Sequence, residues 1–383
     1  MKELVGQILQ AHRIAVRLSC EEVAEQARVP LATLVAFESG SGHITAAALD
    51  RVSNILGIDP HALRQGRIES TPTLTMFFRQ GVFADFRDTE DQPKIMNAFE
   101  RALSLVEVNA ILGKRASLRE RFVPEEPTPE ASKDGYRLAQ TVRRELSNEA
   151  DAINEADAIG DMIELLEEQF HILVRIEKLA SGRIDALSLK ESKTGAAATI
   201  LNAASKRRLN ATTDRVDLAH ELGHILFDSS NEKINLIVDE YDDESKGMLH
   251  AEQRARAFAA ELLMPAEGLR RVLGRPSYEM TLSRSLDMVD RVWREFDTPI
   301  EIAVNHLVNR EYIVHFQREA LIDEARRRAA AKGTVCPSTM PRVHDLLTRR
   351  VIEALRQGLI SVRRARELLN LTVWDELPIN CDV

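Results

Sequence analysis

The stretch 217–227, Asp-Leu-Ala-His-Glu-Leu-Gly-His-Ile-Leu-Phe, constrains this chain more than any other. It contains the pattern His-Glu-x-x-His among apolar residues at helical spacing. In a helix, His220 and His224 project from one face because they are four residues apart. This separation suits two ligands of one tetrahedral zinc ion, and Glu221 can then serve as general base toward a water at that ion.

A second helix after this motif offers the third ligand that a catalytic zinc site needs. Residues 250–265 carry apolar side chains at helical spacing, and Glu252 falls on the buried side of that helix. A buried carboxylate is costly unless a cation meets it, and a zinc ion would do so. Two His and one Glu with an open fourth position form the arrangement of catalytic zinc sites. Glu261 is the rival ligand, but its position places it less clearly on the apolar stripe.

Two further residues near the motif are candidates for stabilising an oxyanion. His250 begins the second helix, where a partly exposed histidine is more often an ordinary surface residue. Tyr241 lies in the acidic stretch 229–249, which the sequence predicts to be a loop that joins the two helices and covers the cleft. The plain alternative for the whole motif is an amphipathic core helix without metal, because His-Glu-x-x-His also arises by chance.

Residues 219–265 resemble the ImmA/IrrE family of zinc metallopeptidases. The first matching motif is His-Glu-Leu-Gly-His at His220–His224. The second is Glu-x-x-Ala-x-x-Phe-Ala-x-x-Leu-Leu-Met-Pro at Glu252–Pro265. A similar helical extension after the peptidase core occurs in the same family, and residues 287–309 resemble it.

The resemblance implies roles for individual residues. It implies that His220, His224 and Glu252 bind zinc and that Glu221 is the catalytic base. It also implies a narrow substrate range, because such peptidases typically cut a helix-turn-helix repressor and so release genes of mobile elements or stress responses. The chain departs from the family at Arg256, where such proteins usually carry Asn, so the contacts behind the ligands match less closely than the ligands themselves.

Composition narrows the class of protein. With 383 residues, 44% of them hydrophobic and 29% charged, the chain exceeds one ordinary domain and has the composition of soluble globular protein. A net charge of −9 argues against a general nucleic-acid binder. Cys20, Cys336 and Cys381 are far apart, which fits a reducing cytoplasm and no cysteine-based zinc site. No apolar run is long enough to cross a membrane, so we expect no membrane partner.

The beginning of the chain resembles an XRE-type helix-turn-helix domain. Ser19-Cys20-Glu21-Glu22 is a capping box that opens one helix, and a turn at residues 28–30 leads to a short helix over Leu31–Phe37. A third helix is predicted over Ala46–Leu56, before Gly57. In such domains the helix after the turn is the recognition helix, which enters the major groove of DNA.

The recognition helix has unusual chemistry for reading bases. Base-reading helices normally expose Gln, Asn, Ser or Arg, but this helix offers Leu31, Ala32 and Thr33, with Arg28 before it. These residues are therefore candidates for contact with either DNA or a protein partner. The two interpretations are a DNA-binding domain and a protein-docking module that meets the related domain of a repressor substrate.

Four regions follow from these patterns. We expect a helix-turn-helix domain at 1–66 and a helical connector with a Pro-rich linker at 67–134, including a helix over 93–112. A zinc metallopeptidase core is expected at 135–275 and a helical extension at 276–383.

The predicted fold class is α+β and mostly helical, with a zincin-like core around a small three-stranded sheet. The strands are predicted at 171–176, 186–189 and 196–202. The last of them is predicted to be an edge strand that pairs with an extended substrate backbone.

The sequence thus predicts a Zn²⁺-dependent endopeptidase that regulates gene expression by cleaving a partner protein, a helix-turn-helix repressor. The alternative function is a DNA-binding regulator or antitoxin-like module that uses the peptidase fold for sensing or docking. The substrate, the activating signal and the oligomeric state are left open by the sequence.

Overall fold

The computed structural model of this protein describes residues 5–6, 9–10, 13, 18–56, 90–114, 116–122, 128–149, 153–192, 194–205, 211–228, 234–240, 250–276, 281–314, 318–331, 345–372 and 374–379. The chain forms two compact units, Met1–Asn97 and Ala98–Val383. Tyr241, Cys336 and Cys381 lie outside the described residues.

The first unit contains the helices α1 (Cys20–Ala27), α2 (Leu31–Glu38) and α3 (Ala46–Leu56). The capping box at the start of α1 is confirmed, because the Ser19 hydroxyl accepts from the Glu22 backbone and the Glu22 carboxylate accepts from the Ser19 backbone. The core of this unit includes Leu9, Val23, Leu34, Val52 and Leu56. The three helices thus lie where the apolar spacing predicts them.

Two long helices follow along the chain. They are α4 (Gln92–Ile111) and α5 (Ala131–Ser147). In α5 the buried residues Leu138, Ala139, Val142 and Leu146 recur at helical spacing, so one face of the helix enters the core. A short helical segment, Met162–Glu164, then continues as a π-helical turn, Leu165–Gln169.

The sheet has four strands where the sequence predicted three. They are β1 (Leu173–Glu177), β2 (Ile184–Glu191), β3 (Ala197–Asn202) and β4 (Ile234–Glu240), in the order β1-β3-β2-β4. The pair β1 and β3 is parallel, whereas β2 is antiparallel to both β3 and β4. The fourth strand corrects the prediction of a loop over 229–249. Its apolar residues Ile234, Leu236, Ile237 and Val238 are followed directly by acidic residues, which obscured the strand pattern.

The prediction that residues 196–202 form an edge strand was wrong. Strand β3 lies between β1 and β2, and every one of its residues is buried. Ser188 and Thr199 approach each other across β2 and β3 with hydroxyl oxygens 3.3 Å apart. The edges of the described sheet are β1 and β4. The prediction failed because strand order depends on long-range pairing, which local sequence does not specify.

The two helices that carry the motifs are α6 (Ala211–Phe227) and α7 (His250–Leu263), and they pack against each other. Gly223 allows this approach, because a Cβ atom there would lie 3.0 Å from the Phe258 ring. On its other side α7 packs against α5, where a Cβ atom at Gly135 would lie 2.3 Å from the carbonyl oxygen of Arg254. The helix with the third candidate ligand is therefore held closely on two sides.

The described residues after α7 are mostly helical, as predicted for the C-terminal extension. The helices are α8 (Ala266–Leu273), α9 (Leu282–Phe296), α10 (Ile300–Asn309), α11 (Arg318–Ala331), α12 (Leu346–Arg356) and α13 (Val362–Leu368). None of the helices in the described part of the chain combines the length and the apolar character needed to cross a membrane. The α+β, mostly helical fold class is confirmed.

Candidate metal centre

Helix α6 places two histidines on one buried face. Its apolar residues Leu218, Leu222 and Leu226 enter the core of the second unit. His220 and His224 are also buried, and their rings lie 4.6 Å apart between centroids. Helix α6 therefore turns both imidazoles inward, as the spacing of the two residues predicts.

Helix α7 brings Glu252 to the same point. The Nε2 atoms of His220 and His224 lie 2.9 Å apart. The Glu252 carboxylate oxygens lie 3.4 Å from His220 Nε2 and 3.3 Å from His224 Nε2. Among the described residues, these three side chains form a buried cluster able to hold a metal ion. The structure thus brings together all three residues predicted as ligands.

The donor atoms of the cluster and two of its three spacings fit a zinc ion, while the 2.9 Å between the Nε2 atoms of His220 and His224 is shorter than the spacing at zinc. Zinc bonds of about 2.0–2.1 Å at tetrahedral angles separate ligand atoms by roughly 3.3 Å. The two distances from Glu252 are 3.4 and 3.3 Å, close to that value. The Glu252 Oε2 atom is buried and makes no hydrogen bond, which leaves it available to a cation. Two imidazoles and one carboxylate are the donors of catalytic zinc sites.

The charges of the cluster show the same preference for a bound cation. Burial alone would raise the pKa of Glu252, but the neighbouring His220 and His224 imidazoles outweigh it and lower that pKa. Burial would lower the pKa of His224, but hydrogen bonds with Asp228 and Glu252 raise it to about 10. A proton on His224 thus offsets the buried carboxylates, as a metal ion would.

Glu221 lies beside the ligands rather than among them. Its side chain is fully buried, one residue after His220, and its charge contributes to the raised pKa of His224. A carboxylate so close to the cluster can accept a proton from a water molecule bound there. The role of Glu221 as general base stays a prediction.

Glu261, the rival ligand, belongs to a different cluster. The expectation that it lies less clearly on the buried side was wrong, because it is fully buried. Its carboxylate accepts from Gln140 Nε2 at 3.0 Å, from Arg310 Nε at 3.1 Å and from the backbone of Ala266 at 3.1 Å. Its partner side chains come from α5 and α10 and include His306 of α10, whose Nε2 atom lies 3.3 Å from Glu261 Oε2. Glu261 therefore links helices and is no part of the metal cluster.

Two residues that the sequence reasoning missed support His224 from behind. Asp228 Oδ2 lies 2.7 Å from His224 Nδ1, and Arg254 Nη2 donates to the other carboxylate oxygen of Asp228. A signal for Asp228 existed, since it stands four residues after His224 and therefore on the same helical face. Local sequence gave no signal for Arg254, because its partner comes from the end of another helix.

The remaining candidates near the motif have no assigned place in the cluster. His250 is exposed at the start of α7. Arg256, the departure from the family motif, is also exposed and points away from the buried face that holds Glu252. Tyr241 lies outside the described residues.

The candidate contact residues of the first unit lie on or next to α2. Leu31 is 39% exposed and Ala32 is exposed, whereas Thr33 is half-buried. Arg28 is exposed and has the left-handed backbone conformation (φ 51°) that ends α1. Val35, 48% exposed, extends the apolar surface of α2.

Comparison with known proteins gives a family match over the segment that contains the cluster. No curated protein matches the chain. The family model described as the IrrE N-terminal-like domain, peptidase M78, matches residues 167–308, which include α6 and α7 with all three clustered residues. This match supports the resemblance to ImmA/IrrE metallopeptidases and a peptidase-type function for the chain.

Proposed function

We propose that this protein is a zinc-dependent endopeptidase. The observation that carries the proposal is the buried cluster of His220, His224 and Glu252, with Glu221 beside it. This cluster lies within the segment that matches a peptidase family. The donor set of two histidines and one carboxylate favours zinc over harder cations, which prefer oxygen ligands.

In the proposed mechanism, His220, His224 and Glu252 hold the zinc ion. Zinc supplies Lewis acidity, which acidifies a water molecule and polarises the scissile carbonyl. Glu221 takes the proton as water attacks the carbonyl carbon, and it later gives the proton to the leaving amine nitrogen. Burial of Glu221 keeps its carboxylate away from competing solvent.

Strand β4 is the edge that we assign to the substrate backbone. It pairs with β2 on one side, and it ends the strand order of the described sheet. At the opposite edge of the sheet, the Arg175 side chain of β1 donates to the carboxylate of Asp345, the residue that caps α12. An extended peptide can add to a sheet edge through backbone hydrogen bonds, which suits a substrate that is locally unfolded.

The proposed substrate is a helix-turn-helix repressor, so that cleavage changes gene expression in a stress or mobile-element response. The first unit supports recognition of a protein partner because α2 exposes Leu31 and Val35. An exposed apolar helix face of this kind is suited to docking on a folded partner.

The test compares protein N-termini by mass spectrometry in cells that express wild type or Glu221→Gln, with and without DNA damage. A new N-terminus inside a helix-turn-helix repressor, present with wild type and absent with the variant, is the expected result. General-base removal typically costs about 10²–10⁴-fold in rate, so cleavage by the variant should disappear within the experiment. Equal cleavage by both proteins would refute the role of Glu221.

DNA binding by the first unit is the second candidate function. The exposed apolar residues of α2 argue against base reading, because base edges are read through hydrogen-bonding side chains. In gel shifts over a range of salt concentrations, we expect at most weak binding without sequence preference, falling steeply with salt. Tight binding to one sequence that persists at 200 mM salt, roughly physiological strength, would support the regulator instead.

A further inference from the structure

His224 is held by a carboxylate on the side away from the other ligands. Its Nδ1 atom lies 2.7 Å from Asp228 Oδ2, whereas its Nε2 atom faces His220 and Glu252. A neutral imidazole has one protonated nitrogen, and Asp228 favours the proton on Nδ1. The Nε2 lone pair is then free for a metal ion.

Arg254 holds that carboxylate in turn. Its side chain is 3% exposed and projects from α7, two residues after Glu252. Nη2 donates to Asp228 Oδ1, and it also lies 3.4 Å from the carbonyl oxygen of Phe227. The guanidinium therefore contacts both the last residue of α6 and the residue directly after it.

These contacts connect the two ligand helices at a second place. Glu252 and Arg254 both stand on α7, and they meet opposite sides of His224, one at Nε2 directly and the other at Nδ1 through Asp228. Because a buried arginine needs an acceptor, the position of Asp228 is tied to that of α7. The ring orientation of His224 is thus tied to the helix that carries the third ligand.

We propose that Arg254 and Asp228 are a positioning pair that sets the orientation and tautomer of His224 for metal binding. This inference rests on the proposed function, since it assumes that the cluster holds zinc. Neither residue touches the metal or the substrate in this account. The pair acts by keeping His224 Nε2 directed at the point where His220 and Glu252 converge.

Zinc affinity of the purified full-length protein, measured by competition with a chromophoric chelator, tests the pair. Partners behind a metal ligand typically contribute about 10–100-fold to metal affinity. We expect Arg254→Met to weaken zinc binding by about this factor, and Arg254→Lys to recover part of it because it keeps the charge and a donor. Arg256→Met is the matched control on the same helix, since Arg256 is exposed, and its affinity should equal that of wild type.

The visible spectrum of the Co²⁺-substituted protein separates positioning from general structural damage. We expect the ligand-field bands of Arg254→Met to shift in position and intensity relative to wild type, because His224 reorients. Asp228→Asn provides a second variant of nearly equal size, in case Arg254→Met does not fold, and it should weaken zinc binding as well. Circular dichroism of the metal-free variants reports whether the fold is kept.

The outcomes separate this inference from the proposed function. If the folded Arg254 and Asp228 variants bind zinc within about threefold of wild type, with unchanged Co²⁺ spectra, the positioning pair is refuted. If His220→Ala binds zinc as wild type does, the metal centre itself is refuted. If His220→Ala loses zinc affinity while the Arg254 and Asp228 variants keep it, only the positioning pair is refuted and the metal centre stands.

Discussion

At the scale of single residues, two buried glutamates of one helix have different partners. Glu252 meets the imidazoles of His220 and His224, whereas Glu261 meets Gln140, Arg310 and the single imidazole of His306. A buried carboxylate requires compensation in either place. Among the described residues, only Glu252 is compensated by two imidazoles that can bind a metal ion, so that position is suited to a cation from solution.

Substitution of these two glutamates should therefore have different consequences for zinc. Glu252→Gln removes a ligand. Zinc affinity should therefore fall further than it does when a residue behind a ligand is replaced, which typically costs about 10–100-fold. Glu261→Gln, the matched substitution on the same helix, should keep zinc affinity close to that of wild type in the folded protein. Chelator competition measures both. Equal losses in the two variants would contradict the assignment of Glu252 as the third ligand.

The sequence specified the ligands better than their supports. His220, His224 and Glu252 could be predicted because helical periodicity places each residue on a definite face. That Glu261 is fully buried was missed, since its partners come from helices distant in sequence. Arg254 was missed for the same reason, because its carboxylate partner stands 26 residues earlier.

At the scale of elements, α7 is positioned by close contact with α5. Gly135 of α5 faces the backbone of α7, where a Cβ atom would lie 2.3 Å from the Arg254 carbonyl oxygen and 2.9 Å from the Phe258 nitrogen. Both neighbours are backbone atoms, which cannot move aside as a flexible side chain can. The spacing of these helices thus depends on the absence of a side chain at Gly135.

Gly135→Ala should force α5 and α7 apart. We expect the free energy of unfolding to fall by about 2 kcal/mol or more, as in overpacked cores, and zinc affinity to fall as well. Gly160→Ala is the control, because a Cβ atom there has no neighbour within 4 Å; its effect should stay within about 0.5 kcal/mol. Urea unfolding measures both. A stable Gly135→Ala protein would show that the helices can separate without cost.

Glu261 also links elements, and its contribution should depend on pH. Burial would raise its pKa, but His306, Arg310 and Gln140 outweigh burial and lower it. A carboxyl whose pKa is lower in the folded state stabilises the fold above its unfolded pKa of roughly 4.3, and this stabilisation disappears as pH falls further. The gap in unfolding free energy between wild type and Glu261→Gln should therefore narrow as pH falls from about 5 to about 3. A gap that is constant over this range would contradict the account.

Elements differed in how well the sequence specified them. Helices such as α5 could be predicted because their apolar residues repeat locally. Strand β4 was missed, since its apolar residues are followed directly by Asp239 and Glu240 and the stretch reads as an acidic loop. The interior position of β3 depends on pairing with both β1 and β2, which no local pattern reveals.

At the scale of the whole molecule, the buried carboxylate of Asp345 connects helix α12 to earlier elements of the second unit. Asp345 caps α12 by accepting from the Thr348 backbone at 3.0 Å. It also accepts from Arg101 of α4 at 2.7 Å and from Arg175 of β1 at 2.9 Å. One residue thus joins helix α12, helix α4 and the edge of the sheet within the second unit.

Asp345→Ala should release α12 selectively. It removes the cap and one carboxylate acceptor of each of two arginines, so we expect a loss of at least about 2 kcal/mol of stability. Hydrogen exchange should become faster in residues 346–356, while α6 and α7 keep their protection. Arg363→Met is the control because Arg363 is 89% exposed. Uniform loss of protection throughout the unit would contradict a local role for Asp345.

Zinc content of the purified protein tests the central claim most directly. We expect elemental mass spectrometry to find one zinc ion per chain in wild type and about the same in Glu221→Gln. The folded double variant His220→Ala, His224→Ala should contain little or none. This expectation follows from the buried cluster, in which Glu252 converges with the two histidines. A wild-type protein that cannot be loaded with zinc, or a double variant that holds as much zinc as wild type, would contradict the account.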